Sequence, residues 1–299
     1  MTQKIDELIA RADRLIQRIE CLLPQPLSAP EWNGSPAWRY RKRSSGHGAL
    51  EPVRHVGGIR LDDLREIDQQ KEKIQRNTLQ FVHGQPANNV LLTGARGTGK
   101  SSLIKACLNG FAHQGLRLIE VDKADLADLP DIVDLVAGRP ERFVIFCDDL
   151  SFEEGEAGYK ALKVALDGSI AAQSDNVLIY ATSNRRHLMP EKMSDNLGAT
   201  HSDDGELHPG EAIEEKISLS ERFGLWLSFY PFRQDDYLDI VGHWLASFGC
   251  SPAQIDAARA DALRWALGRG SRSGRVAWQF AKDYAGKLPQ PPSQGQVDA

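Results

Sequence analysis

Short apolar segments alternate with amphipathic segments through the middle of the chain. The apolar segments lie at residues 90–93, 116–121, 142–147, 177–182 and 225–230. Segments with helical spacing fill most of the intervals between them. Near-continuous apolar strands that alternate with helices are typical of a parallel sheet covered by helices on both faces. The pattern therefore predicts an α/β fold built on a five-stranded parallel sheet.

After the fifth apolar segment the spacing becomes helical throughout. The predicted helices of this part are residues 235–248, 253–268 and 273–286. Because no strand pattern follows Pro231, we expect an α/β domain over residues 50–230 and a small all-helical domain over residues 231–287. The final residues, 288–299, are rich in proline and glutamine and are expected to be disordered.

The N-terminal segment carries apolar residues at alternating spacings of three and four. This spacing predicts an amphipathic helix over residues 1–23, whose narrow apolar seam packs on its own chain or binds a second copy or a partner. Residues 24–49 follow as a predicted linker. Within it, the run from Trp38 to Arg43 alternates basic and aromatic side chains. This run is either solvated or a site for nucleic acid or for an acidic protein surface.

Residues 191–215 form an acidic, turn-rich segment inside the predicted α/β domain. His201 and His208 lie in this segment, but their spacing matches no metal-ligand pattern. We expect a mobile loop insertion here. Long irregular loops in compact domains are more often functional than accidental.

Composition and charge narrow the class of protein. The chain has 299 residues, of which 41% are hydrophobic and 26% charged, as in ordinary globular proteins. The net charge of −5 disfavours a surface that coats nucleic acid, so a protein is favoured over nucleic acid as the binding partner. The four cysteines form no C-x-x-C pair and no apolar run reaches membrane-spanning length. These features predict a cytoplasmic protein without membrane contact.

The segment after the first strand carries a phosphate-binding pattern. Residues 94–101 match G-x-x-x-x-G-K-[ST], in which glycines let backbone N–H groups turn toward phosphate oxygens. The helix that follows points its positive end at the same oxygens. Lys100 is expected to reach the β- and γ-phosphates, and Ser101 is expected to hold Mg²⁺. The pattern predicts that the chain binds a nucleoside triphosphate.

Polar side chains also end two later strands. Asp148 and Asp149 follow the third strand, and Asn184 follows the fourth. We expect Asp148 to hold Mg²⁺ beside the phosphate loop, and Asp149 to act as general base for the attacking water. Asn184 either orients that water or contacts the γ-phosphate, or it caps the turn before Arg185.

The order of these motifs resembles an AAA+ ATPase of the P-loop NTPase superfamily. The order is a phosphate loop, a strand ending in two aspartates, a strand ending in asparagine, an arginine near the fifth strand, and a helical lid. Residues 88–102, 146–152 and 180–188 resemble more specifically an uncharacterised bacterial AAA+ branch, catalogued as domain of unknown function 815. The resemblance covers roughly residues 50–285.

The resemblance implies roles that the residues alone do not show. Arg222 matches the arginine finger that reaches a neighbouring subunit's γ-phosphate, Arg275 matches the lid residue called sensor 2, and Asn184 matches sensor 1. Ile67 matches the segment near the adenine. The implied ligands are ATP and Mg²⁺, and the finger implies a homo-oligomer. The implied nucleotide-binding residues are Gly94, Ala95, Arg96, Gly97, Thr98, Gly99, Lys100, Ser101, Ser102 and Ile67.

One residue departs from the AAA+ pattern, which usually has glutamate after the metal-binding aspartate. Asp149 is one methylene shorter, with about 1–1.5 Å less reach. A misplacement of about 1 Å costs ~10²-fold in rate. Hydrolysis is then slow, or Glu153 or Glu154 on the following loop supplies the base.

Three classes of function follow from these features. The leading one is an ATP-driven motor or switch, in which hydrolysis to ADP and phosphate at an intersubunit site changes the angle between sheet domain and lid and acts on a macromolecular client. The alternative is a nucleotide-gated binding or regulatory module with slow or no turnover. A small-molecule kinase is the third, and the helical domain, Arg222 and Arg275 argue against it.

Overall fold

Runs of apolar side chains become the central strands of a sheet. The strands are β1 (Ala37–Lys42), β2 (Gly48–Pro52), β3 (Val90–Gly94), β4 (Leu116–Glu120), β5 (Arg142–Cys147), β6 (Val177–Ser183), β7 (Thr200–His201), β8 (Leu207–His208) and β9 (Leu225–Phe229). Strands β3, β5 and β6 are buried along almost their whole length, as expected where helices cover both faces. The computed structural model describes residues 9–16, 18, 27–42, 48–152, 156–167, 174–185, 188, 200–201, 207–208 and 219–288.

Seven of these strands form one sheet in the order β2–β1–β4–β5–β6–β3–β9. Neighbouring strands are parallel except β1 and β2, which are antiparallel. The predicted α/β fold with its five parallel strands is therefore confirmed, and a hairpin extends the sheet beyond β4. The short strands β7 and β8 pair with each other. They lie within the predicted loop insertion, whose other residues are outside the described part of the chain.

Amphipathic segments form helices that cover the sheet. The helices are α1 (Asp68–Val82), α2 (Lys100–Phe111), α3 (Leu129–Val136), α4 (Ala157–Asp167), α5 (Gln234–Ser247), α6 (Pro252–Arg269) and α7 (Gly274–Lys287). Residues 9–16 of the predicted N-terminal helix are also helical. Single 3₁₀ turns lie at Trp32–Gly34, Leu61–Asp63, Ala112–Gln114 and Lys123–Asp128. Within the described residues, every helix is either too short or too polar to cross a membrane.

The strand pleat divides the hydrophobic core into two clusters, one on each face of the sheet. Val90 and Leu92 of β3 belong to the cluster that includes α1, α2 and the C-terminal helices, whereas Leu91 belongs to the cluster beneath α3 and α4. Because one cluster runs continuously from the sheet into α5, α6 and α7, the C-terminal helices pack directly on the α/β domain. We call α5, α6 and α7 the lid.

The prediction of a linker at residues 24–49 is wrong for the part that forms β1. Trp38 and Tyr40 are buried, and the Trp38 ring lies 4.8 Å from that of Trp32. The basic residues between them point away from the core, as alternation along a strand requires.

Arg39 forms an ion pair with Glu120 at 2.7 Å, and Lys42 forms one with Asp128 at 2.9 Å. The aromatic-basic alternation is thus a period-two strand pattern. Its described basic side chains pair with carboxylates of the same chain.

Replacing Trp38 with alanine is expected to lower the free energy of unfolding by about 3–5 kcal/mol, since it leaves a large cavity in the core. Urea unfolding followed by circular dichroism measures this change. Arg39→Ala is the matched control on the same strand. Its exposed ion pair with Glu120 is worth only about 0–1 kcal/mol. Equal stability of the Trp38 variant and the native chain would contradict the packing of β1.

Several predicted features lie outside the described residues. They are most of the loop insertion at 191–215, the tail at 289–299, Arg43, and the two alternative general bases Glu153 and Glu154.

Candidate nucleotide-binding site

The loop between β3 and α2 requires glycine at two positions for steric reasons. Gly94 and Gly97 have φ angles of 120° and 74°, which side chains other than glycine rarely adopt. A Cβ atom on Gly94 would lie 1.9 Å from the Phe229 carbonyl oxygen of β9. A Cβ atom on Gly97 would lie 2.8 Å from the Ser273 side chain of the lid. The phosphate loop is therefore closed in between the sheet and the lid.

Lys100, the first residue of α2, turns its side chain back into this loop. Its ammonium donates hydrogen bonds to the carbonyl oxygens of Gly94 and Ala95, both at 2.7 Å, and to Asn184 Oδ1 at 3.1 Å. Burial lowers the pKa of Lys100, while the nearby carboxylates of Asp149 and Asp148 oppose this change. The cation is thus held at the point where the motif predicts phosphate.

Asp148 lies directly beside Ser101 because β5 and β6 run parallel in register next to β3. Its Oδ1 atom accepts hydrogen bonds from Ser101 Oγ at 2.6 Å and from Thr182 Oγ1 at 2.5 Å. Carboxylate and hydroxyl oxygens are the hard ligands that Mg²⁺ prefers. This donor set fits Mg²⁺, and Ser101 and Asp148 are the residues that would hold it.

Asp149 has a backbone conformation that is uncommon for a residue with a side chain. Its φ angle is 53°, a region in which aspartate and asparagine occur more often than other non-glycine residues. Its backbone N–H donates to Thr182 Oγ1 at 2.9 Å. Its Oδ1 atom accepts a hydrogen bond from Asn184 Nδ2 at 2.5 Å. Thr182 of β6 therefore holds the backbone of Asp149, and Asn184 holds its carboxylate at the cavity.

Asn184 bridges two of the predicted site residues. Its carbonyl oxygen accepts from Lys100 and its amide donates to Asp149. The alternative role, capping the turn before Arg185, belongs to another residue. The backbone N–H of Arg185 donates to Ser183 Oγ at 3.1 Å. Asn184 is therefore placed at the centre of the polar cluster.

The lid contacts the phosphate loop through the start of α7. The backbone N–H of Gly274 donates to the carbonyl oxygen of Gly97 at 2.8 Å. The next residue, Arg275, lines the same cavity as the phosphate loop. Since Ser273 Oγ accepts from the N–H of Val276 at 3.3 Å, the helix begins with a capped first turn. The geometry fixes Arg275 close to the loop.

A cavity of about 920 Å³ extends from these polar residues between the sheet domain and the lid. Ile67 lines it and is buried, and a Cβ atom on Gly99 would lie 3.5 Å from Ile67 Cδ1. Most of the predicted loop residues also line the cavity, whereas Gly94 and Ala95 are linked to it through their carbonyl oxygens, which accept from Lys100. Those that line it are Arg96, Gly97, Thr98, Gly99, Lys100, Ser101 and Ser102. The volume is in the range of small-molecule and cofactor sites.

The comparison with family models settles the classification. Residues 33–288 match the family described as protein of unknown function (DUF815). The chain belongs to the DUF815 family. The match covers most of the chain, including β1, the phosphate loop and the lid. No curated protein matches this DUF815 sequence.

This DUF815 chain is similar to several solved structures at low sequence identity. The Holliday junction branch migration motor RuvB of Thermotoga maritima has 16% identity and a TM-score of 0.51, and the match covers 76% of this chain and 64% of that chain. A mutant of the same protein gives a TM-score of 0.52 with equal identity and coverage. The Escherichia coli MS115-1 HORMA:CdnC:Trip13 complex gives 0.48 with 12% identity, covering 77% of this chain and 91% of that chain. The DUF815 chain spans less than two thirds of the RuvB length. The RuvB likeness shows that the two chains share an α/β fold with helices around a mostly parallel sheet.

Arg222 is a predicted catalytic residue that the DUF815 structure does not bring to the cavity. Its guanidinium Nε lies 2.5 Å from Asp167 Oδ1 at the end of α4. Arg222 follows a helical turn at residues 219–221 and lies outside the set of cavity-lining residues. Within one chain, the site therefore contains the phosphate loop, Asp148, Asp149, Asn184 and Arg275 without Arg222.

Sequence reasoning missed three groups of residues in the DUF815 cavity. Thr182 holds both aspartates, and its position two residues before Asn184 on β6 is the signal for its role. Trp278 also lines the cavity, and it lies three residues after Arg275, on the same face of α7. The third missed group is the loop at residues 57–59, which carries no recognisable motif.

Proposed function

We propose that this protein binds ATP with Mg²⁺ and hydrolyses it to ADP and phosphate. One observation carries the proposal: an unbroken series of hydrogen bonds links the metal-binding pair to the lysine through the predicted base. In order, the series runs through Ser101, Asp148, Thr182, Asp149, Asn184 and Lys100. The series joins the metal ligands, the base, a water-positioning residue and the lysine that phosphoryl transfer to water needs, with Thr182 as the link between the two aspartates.

The phosphate loop and Lys100 are proposed to bind the triphosphate. The three acceptors of the Lys100 ammonium are neutral oxygens. Phosphate oxygens in their place are anionic, so the charge that burial disfavours would gain a strong partner. Backbone N–H groups of the loop and the start of α2 favour the same anion. A bound Mg²⁺, held by Ser101 and Asp148, would neutralise charge on the β- and γ-oxygens.

Asp149 and Asn184 are proposed to activate the attacking water. Asp149 accepts the proton of the attacking water as general base. The Asn184 amide donates to one oxygen of that carboxylate, and we assign the proton of the water to the other oxygen. The shorter aspartate places the base farther from the phosphate than glutamate would, so we propose slow turnover.

The lid and a second copy of the chain complete the proposed cycle. Because Gly274 bonds directly to Gly97, loss of the γ-phosphate at the loop would alter the lid's position through Arg275 and α7. Arg222, which lies outside its own chain's cavity, is proposed to act on the site of a neighbouring subunit in a homo-oligomer. The change is proposed to act on a macromolecular client. A protein client is supported by the net charge of −5 and by the paired basic residues of β1.

A second candidate is a nucleotide-gated binding module in which hydrolysis is slow or absent. Asp149 favours it, because this shorter carboxylate is already hydrogen-bonded by Asn184. In this function ATP sets the lid position and turnover is incidental.

Phosphate release from MgATP tests the proposal, with Lys100→Ala as the inactive reference. We expect the variant to bind ATP about 10–100-fold more weakly, since it loses a hydrogen-bonded charge. Isothermal calorimetry measures the affinity. Lys105→Ala removes an exposed lysine from the same helix and is the matched control. If the native chain binds ATP but releases no more phosphate than Lys100→Ala, the gated module is correct. If it binds no ATP, both functions are wrong.

A further inference from the structure

We propose that Asn109 is a positioning residue that fixes one wall of the ATP site. This wall, which we call the nucleoside wall, consists of Gly57, Gly58 and Ile59, and all three residues line the cavity. The inference rests on the proposed function, because it requires a nucleotide in that cavity. It adds the part of the ligand that the wall contacts and the residue that sets the wall.

Asn109 makes two hydrogen bonds to the nucleoside wall. Its Nδ2 atom donates to the carbonyl oxygen of Gly57 at 2.7 Å and to that of Ile59 at 2.8 Å. A side-chain amide has two N–H groups on this nitrogen, so both are used on the wall. Gly57 and Ile59 are 52 and 50 residues away from Asn109 in sequence. The exposed side chain of Asn109 therefore joins α2 to a loop that is distant in sequence.

The nucleoside wall has few other means of keeping its shape. A Cβ atom on Gly57 or on Gly58 would meet nothing within 4 Å, so packing does not confine these residues. Glycine has more conformational freedom to lose than any other residue. The side chains of Val56 and Ile59 pack on the core at either end of the pair. Without Asn109, a ligand that contacts the wall would first have to order the two glycines.

Helix α2 holds residues at both ends of the proposed site. Lys100 begins α2 at the phosphate loop, and Asn109 lies near its C-terminal end. At 1.5 Å per residue, the two positions are about 13 Å apart along the helix axis. Because the triphosphate is bound at the N-terminal end, the wall held by Asn109 faces the part of the ligand beyond the phosphates, which is the nucleoside. Helix α2 thus fixes the distance between phosphate loop and nucleoside wall.

Binding of two ligands distinguishes the phosphate half of the site from the nucleoside half. The ligands are MgATP and magnesium tripolyphosphate, which lacks the nucleoside. In Asn109→Ala we expect about tenfold weaker MgATP binding, since two hydrogen bonds that order the wall are lost. We expect unchanged tripolyphosphate binding in the same calorimetric series. KM for ATP should rise by the same factor while kcat stays constant. Lys105→Ala, one turn earlier on the exposed face of α2, should match the native chain with both ligands.

Asn109→Asp is the second variant, because it keeps the shape of the side chain but has no hydrogen to donate. Its carboxylate would face two carbonyl oxygens, so we expect a loss of MgATP affinity at least as large as in the alanine variant. Unchanged tripolyphosphate binding also shows that either variant is folded.

Three results would overturn the inference. The first is native MgATP affinity in both variants. The second is an equal loss for MgATP and tripolyphosphate, which would mean that Asn109 supports the whole helix. The third is a native chain that binds tripolyphosphate but not MgATP, in which case the proposed function fails as well. The first two results leave the proposed function standing.

Discussion

Arg222→Ala is expected to lower kcat for ATP hydrolysis by about 10³–10⁵-fold, the usual value of an arginine that stabilises phosphoryl transfer. ATP affinity should stay nearly unchanged, because Arg222 lies outside the cavity of its own chain. A guanidinium has five N–H donors for phosphate oxygens. Phosphate release and calorimetric binding of MgATP measure the two effects separately.

A mixing experiment shows whether Arg222 acts on a neighbouring subunit. Arg222→Ala keeps the nucleotide site but lacks the finger, whereas Lys100→Ala keeps the finger but lacks the lysine. Each variant alone should be inactive. Their mixture should regain activity, because some interfaces would then join an intact site to an intact finger. A mixture without activity would contradict the intersubunit role.

The ion pair between Arg222 and Asp167 requires its own control. Asp167→Ala removes the same ion pair but leaves the arginine in place. If Arg222 acts in catalysis, this variant should keep most of its activity. If the ion pair only supports the fold, both variants should lose activity and stability together. Weaker ATP binding in Arg222→Ala would instead mean that Arg222 serves its own subunit.

Asp149→Asn is expected to lower kcat by about 10²–10⁴-fold, the usual contribution of a general base. The amide keeps the size of the side chain but cannot accept the proton. ATP affinity should be kept, since the lysine and the phosphate loop are unchanged. Single-turnover phosphate release measures the loss. Native turnover in this variant would exclude Asp149 as base and direct the search to Glu153 and Glu154.

The backbone of Asp149 makes the glutamate variant informative. At a φ angle of 53°, aspartate is better tolerated than glutamate. Asp149→Glu adds the reach that the AAA+ pattern usually has, but it must adopt the same strained backbone. We expect lower stability together with faster hydrolysis if reach limits turnover. Lower stability without a gain in rate would show that the position of the backbone, and not the length of the side chain, limits the base.

The protein captured by Asp149→Asn in the presence of ATP would be the first candidate client.

Sequence reasoning succeeded where a local pattern determines the geometry. The phosphate loop needs glycine at Gly94 and Gly97 for their positive φ angles, and the spacing to Lys100 follows from the start of a helix. The five parallel strands are likewise local, since each is a short apolar run. Family resemblance supplied Arg275, and the structure places it in the cavity.

Sequence reasoning failed where a residue's surroundings come from distant parts of the chain. The run from Trp38 to Lys42 has the composition of a linker, and only the neighbouring strand β4 and the ring of Trp32 make it a buried strand. Thr182 belongs to an apolar strand, and the register of β5 against β6 makes it the partner of two aspartates. Asn109 is an ordinary surface residue until the loop at residues 57–59 folds back onto α2.

The sequence by itself determined that a glycine-rich loop with the phosphate-binding pattern lies on a parallel α/β sheet followed by a helical lid, because glycine geometry and apolar periodicity act over a few neighbouring residues. The tertiary structure alone decided how Asp149, Asn184 and Lys100 connect, and that Arg222 lies apart from them. These relations depend on strand register and on the position of the lid. They arise from the packing of segments far apart in the chain, which short-range pattern does not encode.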